Sequence, residues 1–216
     1  MRRSLLSSFV VAAAAAQNVL PAYVPISGLS CPPYEDNALV LYPSLEGNRA
    51  PLLVFAHGTN VSPEGYLPLL TTLAEAGYII VAPHSAPVGW CEQQYLDQQR
   101  IAEVAADREL WAPGTAWLWD TVDASKIGAI GHSMGGFATS VNAATEFFKA
   151  AVSYAPYYDG FSDEAPLATT PIFYVSGSLD PIVSPQETIN YYYNTDDTVP
   201  KAGAVVQGYD HLTMVA

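Results

Sequence analysis

Short apolar runs rich in β-branched residues alternate with segments whose apolar positions recur at helical spacing. The runs favour extended backbone, because β-branched and aromatic side chains pack well on a pleated sheet. The segment 95–110 places Ile101, Val104 and Leu110 at helical spacing. The predicted strands are 38–43, 52–57, 78–83, 127–132, 150–156, 171–177 and 202–208. The predicted helices are 62–77, 95–110, 135–148 and 184–194.

Strands that alternate with helices predict an α/β fold. The alternation requires crossover connections, so we expect a mostly parallel central sheet with helices on both faces. Functional residues in such folds gather beyond the carboxyl ends of the strands. Candidate residues should therefore follow strands directly.

The first sixteen residues have the three parts of a secretory signal. Arg2 and Arg3 form a positive start, an apolar stretch follows, and alanines 14–16 provide a small-residue cleavage site before Gln17. A buried N-terminal helix is the alternative. We predict a signal peptide at 1–16, a secreted protein and one domain over 17–216. No later stretch of the sequence is long and apolar enough for a membrane anchor.

The chain is strongly acidic, with a formal net charge of −13, although half of its 216 residues are hydrophobic. Loss of Arg2 and Arg3 with the signal removes two positive charges and no acids, which moves the formal charge from −13 to −15. A protein this acidic repels phosphate backbones and anionic lipid surfaces. We therefore expect no nucleic-acid partner, and we interpret the acidity as an aid to solubility.

Cys31 and Cys91 are the two cysteines of the sequence. An even number in a secreted protein allows one disulfide, but the sequence does not show whether these two residues meet. Their spacing fits no metal site. No metal or organic cofactor is expected.

A serine lies between glycines in the stretch AIGHSMGGFATS, residues 129–140. Gly131, Ser133 and Gly135 fit the pattern G-x-S-x-G between a predicted strand and a predicted helix. An ordinary glycine-rich turn is one interpretation, and a turn that exposes a nucleophile is the other. The placement favours the nucleophile, because the glycines permit a sharp turn and the helix N-terminus directs its amides at a developing oxyanion.

A serine nucleophile needs a histidine base and a carboxylate that orients the base. These residues should follow one another along the chain as serine, acid and histidine. His211 lies downstream of Ser133, three residues beyond the last predicted strand. Asp180 follows the strand at 171–177 and is the preferred acid, although a plain turn aspartate is the alternative. Asp159 and Asp163 are the second choices.

Two backbone amides are expected to bind the oxyanion. The amide after the nucleophile belongs to Met134, and the second should come from the loop after an earlier strand. In FAHGTN, Gly58 permits an unusual backbone conformation and Thr59 follows it. We predict Thr59 and Met134 as the donors. A plain strand-ending turn is the alternative for the first loop.

Together these motifs resemble an α/β-hydrolase over residues 38–211, through HG, GHSMGG, AP-Tyr, GSLDPIV and the late histidine. More narrowly, they resemble the dienelactone-hydrolase-like branch that contains cutinases, polyester hydrolases and chlorophyllase-type esterases. The resemblance implies a triad of Ser133, Asp180 and His211. Tyr157 occupies the place where polyester hydrolases usually carry a substrate-contacting tryptophan. Met134 stands where chlorophyllases typically carry arginine.

The expected site is open and lacks a cap domain. Only about fourteen residues separate Pro156 from the next predicted strand, which is too few for a helical lid. Tyr157 and Trp90 are the predicted substrate contacts. The wider candidates for an aromatic cleft are Trp90, Trp111, Trp117, Trp119, Tyr157, Tyr158 and Phe161, with ordinary packing as the alternative for each.

The expected function is hydrolysis of carboxylic esters through an acyl-enzyme on Ser133. The substrate would be a small-molecule or polymeric ester, and the protein a monomer. An amidase or acyltransferase would use the same triad, and a non-catalytic binding protein could retain the fold. The chain ends five residues after His211, where hydrolases usually continue into a final helix. We expect either a longer natural chain or a histidine on a loosely held segment.

Overall fold

The computed structural model describes residues 19–31, 36–44, 47–85, 89–157 and 167–215. The predicted signal at 1–16 lies outside these ranges, as do Tyr158, Asp159, Phe161 and Asp163. Eight strands form one sheet in this part of the chain. They are β1 (Val19–Pro25), β2 (Asn37–Pro43), β3 (Ala50–Ala56), β4 (Ile79–Pro83), β5 (Val122–His132), β6 (Ala150–Tyr154), β7 (Ile172–Gly177) and β8 (Lys201–Val206).

The order of the strands across the sheet is β1-β2-β4-β3-β5-β6-β7-β8. β2 runs antiparallel to β1 and to β4, and every pairing from β4 to β8 is parallel. The prediction of a mostly parallel sheet is confirmed. β1 was not predicted, because Pro21 and Pro25 interrupt its apolar pattern. It lies at the edge of the sheet, where proline is tolerated because one side of the strand has no partner.

Helices follow β3, β4, β5 and β7 along the chain. A 3-10 turn at Pro63–Tyr66 precedes the first of them. Within the described residues, no helix is long and apolar enough to cross a membrane. The helices are α1 (Leu67–Glu75), α2 (Gln94–Ala106), α3 (Ala116–Trp119), α4 (Met134–Asn142) and α5 (Pro185–Asn194).

Two helices end earlier than the sequence predicts. α2 ends at Ala106, because Asp107 is extended and its carboxylate accepts a backbone amide from the next turn. α4 ends at Asn142, because the carbonyl of Ala143 accepts two amides from the segment before β7. Both ends depend on contacts with residues outside the helix, which helical periodicity does not report.

Alternate residues of β2 face opposite sides of the sheet. Leu39 and Leu41 pack in one hydrophobic cluster with α1. Ala38 and Val40 pack in another cluster with α2 and α3. Helices therefore cover both faces of the sheet, as predicted, and both faces are buried.

Cys31 and Cys91 form a disulfide, with their Cα atoms 5.9 Å apart. It joins the loop after β1 to the segment before α2. The buried carboxylate of Asp97 on α2 accepts the backbone amides of Ser30 and Cys31. The pairing that the sequence left open is therefore made, and the loop is fixed at two neighbouring points.

Candidate active site

Ser133 lies in a sharp turn between β5 and α4. Its φ of 57° and ψ of −120° place a non-glycine residue in a strained backbone region. A Cβ atom at Gly135 would collide with the carbonyl oxygen of Ala56, so the helix approaches β3 more closely than any other residue would allow. The amide of Ser133 donates to the carbonyl of Tyr154, 3.0 Å away, and fixes the turn against β6.

The structure brings Ser133, His211 and Asp180 into one hydrogen-bonded chain. The Oγ of Ser133 lies 3.0 Å from the Nε2 of His211, and the Nδ1 of His211 lies 2.7 Å from the Oδ2 of Asp180. All three residues are buried. The other carboxylate oxygen of Asp180 accepts the amides of Ile182 and Val183 at 2.9 and 2.8 Å. This acid is therefore held in a single orientation toward the histidine.

Among the described residues, no other acid that neighbours these elements takes the place of Asp180 beside His211. Asp159 and Asp163 lie outside them. Asp210 is exposed, and its carboxylate accepts the amide of Leu212 and the hydroxyl of Thr213, so it stabilises the turn that carries the histidine.

The segment after His211 packs on the protein core. Met214 and Val215 lie against the cluster around Leu39 and Phe55, and Met214 also contacts the cluster of Tyr154. His211 itself is only 4% exposed. The expectation of a loosely held histidine is wrong, because the apolar residues that follow it find partners on the sheet.

Thr59 lines the same cavity as Ser133, and Met134 follows Ser133 directly in the chain. Thr59 belongs to the loop after β3, and Met134 is the first residue of α4. Among the described residues, neither backbone amide has a hydrogen-bond acceptor. Both amides are therefore available to a ligand oxygen, and the N-terminus of α4 favours negative charge there.

A cavity of about 290 Å³ opens beside Ser133. Trp90 and Tyr157 both line it, with their rings 5.8 Å apart in a T-shaped contact. Ile182 and Leu212 also line it, although each is 54% exposed. These two were not predicted from the sequence, but the position of Ile182 two residues after the acid and that of Leu212 directly after the histidine could have indicated them. The lining residues are Gly58, Thr59, Asn60, Val61, Trp90, His132, Ser133, Tyr157, Ile182, His211 and Leu212.

The prediction of a wider aromatic cleft is wrong for three of its tryptophans. Trp111 donates its ring N–H to the carbonyl of Val104 and packs on the core. Trp117 stacks near Tyr42, and Trp119 is buried among core residues. The composition gives the number of aromatic residues but not their positions. These three tryptophans pack away from the cavity.

The described part of the chain contains no cluster of three or more His, Cys, Asp or Glu side chains that could hold a metal ion.

A family model described as Chlorophyllase matches residues 18–168. The match includes the serine turn and the Thr59 loop, and it stands although Met134 occupies the position where the sequence analysis expected an arginine in such proteins. A comparison with curated proteins gave no match.

Proposed function

The chain belongs to the chlorophyllase family of the α/β-hydrolase superfamily, a family of ester hydrolases, and from this premise we propose that it cleaves carboxylic esters through an acyl-enzyme on Ser133. The observation that carries the proposal is the chain of hydrogen bonds from Ser133 through His211 to Asp180. This chain supplies a nucleophile, a base and an orienting acid in the order that acyl transfer requires.

Proton positions follow from the geometry. We assign a proton to the Nδ1 of His211, which donates a hydrogen bond to the carboxylate of Asp180 and keeps that proton. The Nε2 of His211 is then an acceptor for the Ser133 hydroxyl, 3.0 Å away. As Ser133 attacks the ester carbonyl, its proton moves to Nε2, and Asp180 stabilises the imidazolium that forms.

The carbonyl oxygen becomes an oxyanion in the tetrahedral intermediate. We propose that the backbone amides of Thr59 and Met134 donate to it, as preorganised oxyanion donors do in acyl transfer. Collapse of the intermediate breaks the bond to the alcohol, which leaves with the proton held on His211. Water activated by the same histidine then attacks the acyl-serine and releases the acid.

The cavity supports an ester with a modest apolar acyl group. Its volume of about 290 Å³ is small, and Trp90 and Tyr157 offer aromatic surface on one side. Ile182 and Leu212 extend an apolar surface outward from the serine. A cutinase-like or small-ester esterase with an open, lidless site fits these features, with larger apolar parts of the substrate lying over the exposed rim.

We further propose that the protein is secreted and works as a monomer. The signal-like residues 1–16 and the Cys31–Cys91 disulfide support export to an oxidising compartment. N-terminal sequencing of the exported protein should begin at Gln17, and size-exclusion chromatography should give the mass of one chain. An intact Arg2–Arg3 segment on the exported protein would contradict the signal peptide.

The experiment is hydrolysis of p-nitrophenyl esters of increasing acyl length by the exported protein, with Ser133→Ala alongside. We expect activity that is greatest on short and medium chains and that falls by about 10⁴-fold or more in the variant. Ser125→Ala is the matched control, because Ser125 is exposed and hydrogen-bonded to Asp123 away from the cavity. A fluorophosphonate should label wild type and not Ser133→Ala. A folded Ser133→Ala protein with full activity would refute the proposal.

A further inference from the structure

A chain of buried polar contacts lies behind the Thr59 loop. The backbone amide of Gly58 donates to the hydroxyl of Tyr66, 2.9 Å away, and the same hydroxyl lies 2.8 Å from the Nδ1 of His132. His132 directly precedes Ser133, and Gly58 directly precedes Thr59. Tyr66 therefore bridges the two segments that carry the proposed oxyanion amides.

The directions of these hydrogen bonds can be assigned from the chemistry of the groups. The Gly58 amide can only donate, so the Tyr66 hydroxyl oxygen accepts from it, and we assign the Tyr66 O–H as the donor to the Nδ1 of His132. Burial raises the pKa of Tyr66, which keeps the phenol protonated. Burial, and secondly the proximity of His211, lower the pKa of His132 to about 3, which keeps the imidazole neutral. A neutral His132 can accept at Nδ1.

Tyr66 is held firmly, although it does not line the cavity. It is fully buried, and its ring packs 4.7 Å from the ring of Phe55 in the cluster beneath α1. A Cβ atom at Gly58 would lie 2.9 Å from the Tyr66 hydroxyl oxygen and 3.1 Å from the Nδ1 of His132. The loop therefore fits against this pair so closely that only glycine is accommodated without displacement.

At its other end, this chain of polar contacts extends to His211, the proposed base. The ring of His132 lies 4.6 Å from the ring of His211, between that residue and Tyr66. The Gly58 carbonyl is fixed as well, by the Nδ1 of His57 at 2.9 Å and the amide of Val61 at 3.3 Å. Displacement of Tyr66 or His132 would therefore change the position of the Thr59 loop and that of the His211 ring.

We propose that Tyr66 and His132 act as a pair of positioning residues, which hold the Thr59 amide opposite the Met134 amide and support the ring of His211. This inference rests on the proposed function. Because oxyanion donors act mainly on the transition state, loss of their alignment lowers kcat and leaves KM nearly unchanged. A purely structural pair would alter stability and leave the turnover of the folded protein intact.

The test compares Tyr66→Phe, His132→Leu and the double variant on p-nitrophenyl butyrate. Tyr66→Phe removes one oxygen and retains the ring packing. The matched control is Tyr174→Phe, because Tyr174 is also buried and hydrogen-bonded, to Thr195, but lies away from the cavity. Folding of each protein is checked by near-UV circular dichroism, and Ser133→Ala is measured in the same series.

We expect each single variant to lower kcat by about 10- to 100-fold with KM changed less than about threefold, because small misplacements of catalytic groups cost rates of this order. The double variant should lose about as much as the worse single variant, since the two residues act as one unit. Tyr174→Phe should keep the wild-type kcat.

The inference is overturned if folded Tyr66→Phe keeps the wild-type kcat, or if the two losses multiply in the double variant, while Ser133→Ala is inactive. Retained activity in Ser133→Ala would instead remove the proposed function itself. If Tyr66→Phe does not fold, the kcat of folded His132→Leu decides: a loss of about tenfold or more supports the pair, and an unchanged value contradicts it.

Discussion

The backbone amide of Cys91 donates a hydrogen bond to the Sδ of Met134, 3.2 Å away. Two residues earlier, the amide of Gly89 donates to the side-chain oxygen of Asn60 at 2.8 Å. The short segment 89–91 therefore contacts both segments that carry the proposed oxyanion amides, and Trp90 lines the cavity between them. The disulfide to Cys31 ties this segment to the loop after β1.

The double variant Cys31→Ser and Cys91→Ser should therefore lose stability and turnover together. A disulfide across a sequence separation of 60 residues stabilises by about 4 kcal/mol in the chain-entropy account. We expect a fall of that order in the free energy of unfolding, measured in urea. We also expect kcat to fall about fivefold at a temperature where the variant is folded. Full kcat in the folded variant would show that the segment needs no covalent support.

Asp180→Asn should reduce kcat by about 10⁴-fold with little effect on folding. An amide at this position no longer stabilises the imidazolium, and it favours the wrong tautomer of His211. Asp210→Asn is the matched control, because the amide oxygen can still accept the contacts that stabilise the neighbouring turn. Steady-state kinetics on one ester would decide, and equal losses in the two variants would contradict the role of Asp180.

Stability should fall as the pH drops below about 6.5. Burial, and secondly His211, lower the pKa of His132 to about 3, and burial also lowers the pKa of His57. Below pH 6.5 the unfolded chain therefore binds more protons at these positions than the folded protein does. The free energy of unfolding then declines by up to about 1.4 kcal/mol per pH unit for each histidine.

Urea unfolding at pH 7, 6 and 5 measures this slope, and His132→Leu provides the comparison. In the variant, the free energy of unfolding should depend less steeply on pH, because the contribution of His132 is removed and that of His57 remains. Parallel slopes in the two proteins would show that His132 titrates alike in the folded and unfolded states.

Trp90→Ala should raise KM about tenfold and change kcat less. The indole offers apolar surface to bound substrate in ground state and transition state alike, so its loss removes binding that is uniform along the reaction. Trp117→Ala is the control, because Trp117 is 43% exposed and packs against Tyr42 away from the cavity. The series of acyl lengths should show the greatest effect on the esters that fill the cavity.

The sequence predicted the parallel sheet and the hydrogen-bonded site residues because both leave local signals. α5 was predicted at nearly its observed bounds, since Ser184 and Glu187 form a capping box at its start. Ser133 follows β5 directly, and Asp180 and His211 lie three and five residues after β7 and β8. Their placement therefore needs only the strand assignment and the rule that parallel strands end at one edge.

Other features depend on contacts between distant residues. Tyr66 and His132 are 66 residues apart, and no periodicity or motif marks their pairing. β1 is interrupted by Pro21 and Pro25, and it becomes a strand because it aligns residue by residue with β2. The positions of Trp111, Trp117 and Trp119 were predicted wrongly for the same reason. Local sequence does not distinguish a side chain that packs in the core from one that lines a cavity.

Because β8 lies at the edge of the sheet, we expect warming to abolish the proposed activity at a lower temperature than it unfolds the protein. β8 is the outermost strand, it pairs with β7 alone among the described strands, and none of its residues is buried. The base of the proposed triad follows this strand, whereas the nucleophile follows β5 in the middle of the sheet. Fraying of an edge strand needs far less energy than global unfolding. Because Met214 and Val215 also hold the histidine segment on the core, we expect a reversible loss of turnover only where warming frays β8 while the central strands remain paired.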